Sequence, residues 1–138
     1  MEEILILISH GKMADEVLKS AEMIVGDIDN VYTVHLLPEE GIDDFNQKLE
    51  NVISKINKGD SITVMADLLG GTPCNSAIMQ LKDRPNTNII SGYNLGMILE
   101  YIMLRESGIS NIKGQVLSSG KNGIQDILDF VDNGTKES

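Results

Sequence analysis

The sequence of 138 residues holds one cysteine, Cys74, and no tryptophan. One thiol forms neither an intramolecular disulfide nor a four-cysteine zinc site, so neither is expected to stabilise this chain. No apolar run approaches the ~20 residues of a transmembrane helix, and two acidic residues precede the first apolar run, unlike a secretory signal peptide. The sequence therefore predicts a soluble protein of a reducing compartment, the cytoplasm.

Basic residues are also scarce, with 11 Lys and Arg against 21 Asp and Glu, for a formal net charge of −10. A negative excess of this size repels phosphate backbones and anionic lipid. Nucleic acid is therefore not an expected partner. A basic protein partner is favoured instead, because opposite charges steer the encounter of two proteins.

The remaining composition is that of a globular protein, with 41% apolar and 23% charged residues. The length fits one compact domain. We place this single domain at residues 1–131 and a polar C-terminal tail at residues 132–138. No internal repeat, low-complexity segment or linker divides the sequence.

Short apolar runs alternate with amphipathic helical patterns along the whole chain. Strands are predicted at residues 4–8, 31–37, 61–67 and 88–91, and each is followed by a helical pattern. A short fifth strand is predicted at residues 115–117, before a helix over residues 123–131. The alternation predicts an α/β fold, a doubly wound and mainly parallel sheet of four strands with helices on both faces.

Functional groups in such sheets gather at the carboxyl ends of the strands. His10 lies two residues past the first apolar run, and Asp67 closes the third. A neutral imidazole is a competent nucleophile near pH 7, and a carboxylate that accepts a hydrogen bond from its second nitrogen fixes the tautomer. Gly70, Gly71 and Thr72 open the following helix, where backbone N–H groups attract anions. Together these residues suggest phosphoryl transfer through a phosphohistidine.

Each of these signals also has a simpler interpretation. His10 alone would be an ordinary polar loop residue, and Asp67 alone an N-cap. Their joint placement at strand ends favours a functional site. His35 is interpreted as structural or solvent-facing, because its nearest acid, Glu39, lies across a proline. Cys74 is interpreted as a small packing residue.

Motifs for independent nucleotide binding are missing. The sequence contains no GxxxxGK[ST] phosphate loop and no GxGxxG. We therefore expect no cofactor and no metal ion at the site.

Three stretches carry a resemblance to a known family: Ser9-His10-Gly11, residues 67–75 (DLLGGTPCN) and residues 92–100 (GYNLGMILE). Over roughly residues 1–131 the chain resembles the IIA component of the mannose-type family of the bacterial phosphoenolpyruvate:sugar phosphotransferase system. The resemblance implies a phosphotransferase in which His10 accepts a phosphoryl group from the carrier protein HPr. It further implies transfer to a IIB histidine, for uptake of a hexose or amino sugar through the membrane components IIC and IID.

The resemblance also assigns the site. It implies that Asp67 orients and stabilises His10, and that Gly71 and Thr72 line the phosphoryl site. We expect Gly11 and Gly70 to bind the phosphoryl group as well. The resemblance further implies a homodimer in which the strand at residues 115–117 joins the partner's sheet. Two positions depart from the family pattern: Gly96 stands where proline is common, and Cys74 where an aromatic residue is frequent.

Other functions remain open at this point. A related phosphotransferase subunit that supplies dihydroxyacetone kinase would share the fold and the histidine. A receiver-like signalling domain would need an acidic pair after the first strand, where this chain has Ser9-His10. A purely structural or small-molecule-binding module is a third alternative. We expect IIB to be a separate protein, because the chain ends too early to include it, and the IIA component to be recruited to the membrane only through its partners.

Overall fold

The computed structural model describes residues 2–109 and 111–137, which form an α/β fold. Its strands are β1 (Glu3–His10), β2 (Val31–Leu36), β3 (Ser61–Ala66) and β4 (Thr87–Ser91). Its helices are α1 (Met13–Val25), α2 (Ile42–Ile53), α3 (Gly71–Leu81), α4 (Leu95–Ser107), α5 (Lys113–Asn122) and α6 (Ile127–Glu137). The chain divides into two compact units, residues 1–95 and residues 96–138.

The first unit contains a four-stranded sheet in the order β2-β1-β3-β4, and all three neighbouring pairs are parallel. Ile6 of β1 pairs with Tyr32 of β2 on one side and with Val64 of β3 on the other. Every residue of β1 from Ile4 to Ser9 is buried. A central parallel strand is covered on both faces, which is why the first apolar run is continuous rather than alternating.

Helices cover both faces of this sheet. Side chains of α2 and α3 pack on one face in a core that alternates along the strands: Ile4, Ile6, Ile8, Val34, Phe45, Leu49, Ile62, Val64, Ala66, Cys74, Ala77 and Leu81. Helix α1 lies on the opposite face, where the backbone N–H of Ala14 donates to the Ser9 hydroxyl. The predicted architecture of four parallel strands with helices on both faces is confirmed, and Cys74 is the buried packing residue that the sequence indicated.

The second unit consists of helices in its described residues. Its buried side chains are Met97, Ile98, Tyr101, Ile102, Leu104, Ile112 and Val116. Helix α6 instead exposes a set of large apolar side chains: Ile127, Leu128, Phe130 and Val131. No helix among the described residues is long and apolar enough to span a membrane.

The fifth strand predicted at residues 115–117 is wrong. These residues lie inside α5. Only Val116 and Leu117 are apolar in this segment, and two apolar residues do not distinguish a strand from a buried helical turn. The informative spacing is that of Ile112 and Val116, both buried and four residues apart, as on one face of a helix. The last helix also differs from the prediction, since it begins at Ile127 and continues to Glu137.

The turn that follows β1 is held by Ser9, which is fully buried. Its hydroxyl oxygen accepts from the N–H of Ala14 at 2.8 Å, and its proton is donated to the carbonyl of Gly11 at 2.8 Å. The N–H of Gly11 donates to the carbonyl of Leu36 at 2.7 Å. These bonds fix the backbone on both sides of His10.

Replacing Ser9 by alanine should destabilise the fold by about 1–3 kcal/mol, because the buried Ala14 N–H loses its partner. Ser54→Ala is the matched control, since the exposed Ser54 hydroxyl donates only to the nearby Asn51 carbonyl. Its effect should stay within about 0.5 kcal/mol. Urea denaturation measures both variants, and equal midpoints would show that Ser9 does not hold the turn.

Candidate functional site

The site lies where the order of the strands reverses. The chain runs from β1 outward to β2 and then returns across β1 to β3, so that β1 and β3 flank the switch point. In doubly wound sheets, ligands bind outside the carboxyl ends of the strands at this point. His10 is the last residue of β1, and Asp67 directly follows β3.

One carboxylate oxygen joins these two strand ends. Oδ2 of Asp67 accepts a hydrogen bond from the backbone N–H of His10 at 2.9 Å and one from the His10 ring at Nδ1, also at 2.9 Å. The side chain of His10 is 45% exposed and that of Asp67 only 11%. Because a carboxylate only accepts, Nδ1 carries the proton and the lone pair of the neutral ring lies on Nε2.

The Nε2 edge of the ring lies against the start of α3. Gly71 has a φ of +79°, and a Cβ atom at this position would lie 3.0 Å from Cε1 and 3.2 Å from Nε2 of His10. Only glycine combines this backbone conformation with so close an approach. Gly71 is also the first residue of α3, whose N-terminus favours a negatively charged group.

The other residues that we expect to bind the phosphoryl group differ in what they contribute. Gly70 has a φ of +82° and open space where a Cβ would lie, so it shapes the turn into α3 without touching the ring. Thr72 lies in the first turn of α3. Gly11 has a φ of +56°, and its N–H is already bonded to the carbonyl of Leu36, so this N–H supports the turn. In the part of the chain that the structure describes, no cluster of three or more His, Cys, Asp or Glu could hold a metal ion.

A second histidine–carboxylate pair lies on the neighbouring strand. Nδ1 of His35 lies 2.9 Å from Oδ2 of Asp15 in α1, and the two side chains are 27% and 25% exposed. The expectation that Glu39 was the only acid near His35 is therefore wrong, because α1 folds over the sheet and supplies one from distant sequence. No glycine of the described residues lies against the His35 ring as Gly71 lies against His10.

Sequence reasoning missed one residue of this region, Tyr93. It follows β4 and is 5% exposed, and the N–H groups of Gly92 and Tyr93 donate to the carbonyl of Ala66 at 2.8 and 3.4 Å. This places Tyr93 beside the residue that precedes Asp67. The stretch at residues 92–100 contributes to the family resemblance, but nothing in the sequence indicates where the phenol lies.

Two buried polar atoms near the site have no hydrogen-bond partner among the described residues: Oδ1 of Asp67 and the hydroxyl of Tyr93. The pKa of Tyr93 is raised to about 12, first by burial and then by the negative charge of Asp67. The Ser9 hydroxyl, which would hydrogen-bond the phenolate, lowers the pKa, and the charge of Asp15 makes the smallest contribution and raises it. The phenol therefore lies within electrostatic reach of the carboxylate that holds His10.

Comparison with known proteins shows the family of this chain. The model of the EIIA-man family, described as "PTS system fructose IIA component", matches residues 4–115. The chain belongs to this family. The match covers both strand ends of the site, the start of α3 and all of the sheet except Glu3.

Individual relatives support the assignment. The mannose-specific EIIAB component of Escherichia coli K12 is 27% identical over 119 residues, which are 85% of this chain but only 37% of that relative's length. Among solved structures, the mannose/sorbose-specific IIA subunit from Enterococcus faecalis is 33% identical, has a TM-score of 0.80, and the match covers 91% of this chain and 94% of that one. A PTS IIA protein associated with the fucose utilization operon of Streptococcus pneumoniae is 26% identical, has a TM-score of 0.86, and the match covers 95% and 97%.

Gly71→Ala should displace the His10 ring, because the new Cβ would lie within 3.2 Å of Nε2. Gly70→Ala is the matched control, since its φ is also positive but its Cβ would meet nothing within 4 Å. Both variants should lose about 1–3 kcal/mol of stability from backbone strain. The NMR signals of the His10 imidazole should shift strongly only in Gly71→Ala, and identical shifts in both variants would contradict the contact.

The raised pKa of Tyr93 predicts a loss of stability at alkaline pH. The folded state keeps the phenol proton up to about pH 12, whereas the unfolded chain releases it near pH 10. The free energy of unfolding should therefore fall as pH rises between these values. Ultraviolet absorbance of tyrosinate should show a late-titrating component that is lost in Tyr93→Phe and retained in Tyr32→Phe.

Proposed function

We propose that this chain is a phosphohistidine carrier of a sugar-specific phosphotransferase system. It accepts a phosphoryl group on His10 from phospho-HPr and passes it to a histidine of a IIB protein. The observation that supports this most directly is the environment of the two ring nitrogens of His10. Its Nδ1 is held by Asp67, its Nε2 bears the lone pair, and that Nε2 faces the glycine-rich start of α3.

The geometry supports Nε2 as the nucleophilic atom. An imidazole attacks with the nitrogen that carries no proton, and Nδ1–H is engaged with Asp67. The ring is 45% exposed, so a donor protein can reach it without opening the fold. His35 has the same pairing with Asp15 but no glycine contact, which is why we assign the reaction to His10.

The transfer is an in-line displacement at phosphorus. The Nε2 lone pair of His10 forms the new N–P bond while the N–P bond of the donor phosphohistidine breaks, and its electron pair returns to the donor ring. No proton has to leave His10, because Nδ1–H stays in its hydrogen bond with Asp67. Transfer to IIB is the same displacement with His10 as the leaving group, which makes the step readily reversible.

Stabilisation of charge supplies the remaining catalysis. The His10 ring becomes positive as the bond forms, and the Asp67 carboxylate lies 2.9 Å from the protonated nitrogen. The phosphoryl oxygens would lie near the N-terminus of α3 at Gly71 and Thr72, where backbone N–H groups favour negative charge. Phosphoryl transition states are loose, so positioning and electrostatics account for most of the rate gain.

The partners follow from the same proposal. Relatives with 27–31% identity are named as mannose-, fructose- and sorbose-specific components, which supports a sugar of the hexose class. IIC and IID would carry that sugar across the membrane, and this chain would act on the cytoplasmic side. A homodimer is part of the proposal, and the exposed apolar side chains of α6 support it, because such a surface favours burial against another protein.

Intact-mass spectrometry after incubation with phosphoenolpyruvate, Enzyme I and HPr tests the function. One phosphoryl group should be added, and the adduct should be lost in acid and kept in alkali. His10→Ala should abolish the addition, whereas His35→Ala, the matched histidine, should accept normally. An alkali-labile adduct on Asp67 would instead identify a receiver-like domain, and transfer to a dihydroxyacetone kinase subunit rather than to IIB would favour the related phosphotransferase.

The role of Asp67 is tested separately. Asp67→Ala should slow phosphoryl acceptance by about 10- to 100-fold, the range for loss of a hydrogen bond to a charged group, with the fold intact. Asp15→Ala, which removes the equivalent carboxylate from His35, is the matched control and should leave the rate near that of the wild type. Phosphoryl acceptance reactions quenched at successive times give both rates. Equal rates for Asp67→Ala and the wild type would contradict the orienting role of Asp67.

A further inference from the structure

Asp67 uses only one of its two oxygens in the hydrogen bonds described above. Oδ2 accepts both bonds from His10, whereas Oδ1 is buried and has no partner among the described residues. A buried carboxylate oxygen without a donor is costly, and such an atom in a native protein calls for a reason. The orientation of the carboxylate is therefore fixed from one side only.

The Tyr93 hydroxyl has the complementary property. It is a donor, it is buried, and it also lacks a partner among the described residues. The backbone of Tyr93 is tied to Ala66, the residue directly before Asp67. The Tyr93 hydroxyl, a donor without a partner, and Oδ1 of Asp67, an acceptor without a partner, thus belong to residues at the same edge of the sheet.

The other acceptors near this phenol each already have a partner. The Ser9 hydroxyl donates to Gly11 and accepts from Ala14, although its oxygen keeps a second acceptor lone pair. Asp15 pairs with His35 through Oδ2. Among these groups, Oδ1 of Asp67 is the buried acceptor atom without a partner.

We propose that Tyr93 is a positioning residue for His10: as a phosphoryl group is transferred, its hydroxyl donates to Oδ1 of Asp67 and keeps Oδ2 aligned with Nδ1–H of the ring. This inference rests on the phosphoryl transfer proposed above. A second donor on Asp67 fixes the plane of the carboxylate and stabilises its negative charge while His10 becomes positive.

The state of the phenol suits this task. Burial and the charges of Asp67 and Asp15 raise the pKa of Tyr93, so the hydroxyl keeps its proton throughout the neutral range. Because Tyr93 is only 5% exposed, it acts through Asp67 and presents almost no surface to a protein partner. Its removal should therefore change the rate of transfer and leave the binding of the donor unaltered.

Tyr93→Phe tests the proposal, since it removes only the hydroxyl and keeps the ring. The maximal rate of acceptance from phospho-HPr should fall about tenfold, and KM should change by less than about twofold. Tyr32→Phe, a partly buried tyrosine of β2 in the same unit, is the matched control and should retain the rate. Thermal unfolding of Tyr93→Phe should match the wild type, because the hydroxyl has no bond to lose in the structure.

A double-mutant cycle with Asp67→Ala separates positioning from a general packing effect. If Tyr93 acts through Asp67, adding Tyr93→Phe to Asp67→Ala should cause no further loss of rate. Additive losses, or a wild-type rate in Tyr93→Phe alone, would overturn the proposal.

Nitrogen NMR of phosphorylated His10 provides a measurement besides the rate, because the bond from Tyr93 to Asp67 is proposed for the state in which the ring is positive. The Nδ1 signal should shift in Tyr93→Phe and stay unchanged in Tyr32→Phe. An unchanged signal in Tyr93→Phe contradicts the role of Tyr93. A wild-type protein that is never phosphorylated contradicts the proposed function instead.

Discussion

The site depends on the double hydrogen bond that Oδ2 of Asp67 accepts from His10. Through it, the residue after β3 holds both the backbone and the ring of the residue that ends β1. The parallel pairing of β1 and β3 brings these positions together, with Ile8 opposite Ala66 and the N–H of Asp67 bonded to the Ile8 carbonyl. The sheet core therefore serves the chemistry directly, since its register determines which ring nitrogen is free.

The two histidine–carboxylate pairs have different surroundings. Both have an Nδ1–Oδ2 distance of 2.9 Å. They differ in exposure, 45% for His10 against 27% for His35, and in the backbone beside the ring. Only His10 lies against a positive-φ glycine at a helix N-terminus, within the described part of the chain. The exposure of the His10 ring and the helix N-terminus beside its Nε2, rather than the carboxylate partner alone, distinguish the two pairs.

Much of this arrangement was predictable from the sequence. Strand ends of a parallel sheet converge, so His10 and Asp67 could be placed together from the spacing of apolar runs. The pairing of His35 with Asp15 could not be predicted, because it depends on how α1 crosses the sheet. The short distance in sequence between His35 and Glu39 indicated the wrong acid. The strand predicted at residues 115–117 failed because this segment has only two apolar residues, Val116 and Leu117, which are too few to show a period. Tyr93 was missed because a phenol after a strand carries no signal of its orientation.

The solitary cysteine has a practical consequence for experiments on this protein. Cys74 is 3% exposed within the core, so it should react slowly with maleimides or thiol-reactive surfaces. A cysteine introduced at the exposed Lys58, in the loop just before β3, would then be the preferred point of attachment. This loop lies at the amino ends of the strands, opposite His10. A dye or tether placed there would leave the histidine edge facing away from the support and accessible to an approaching protein.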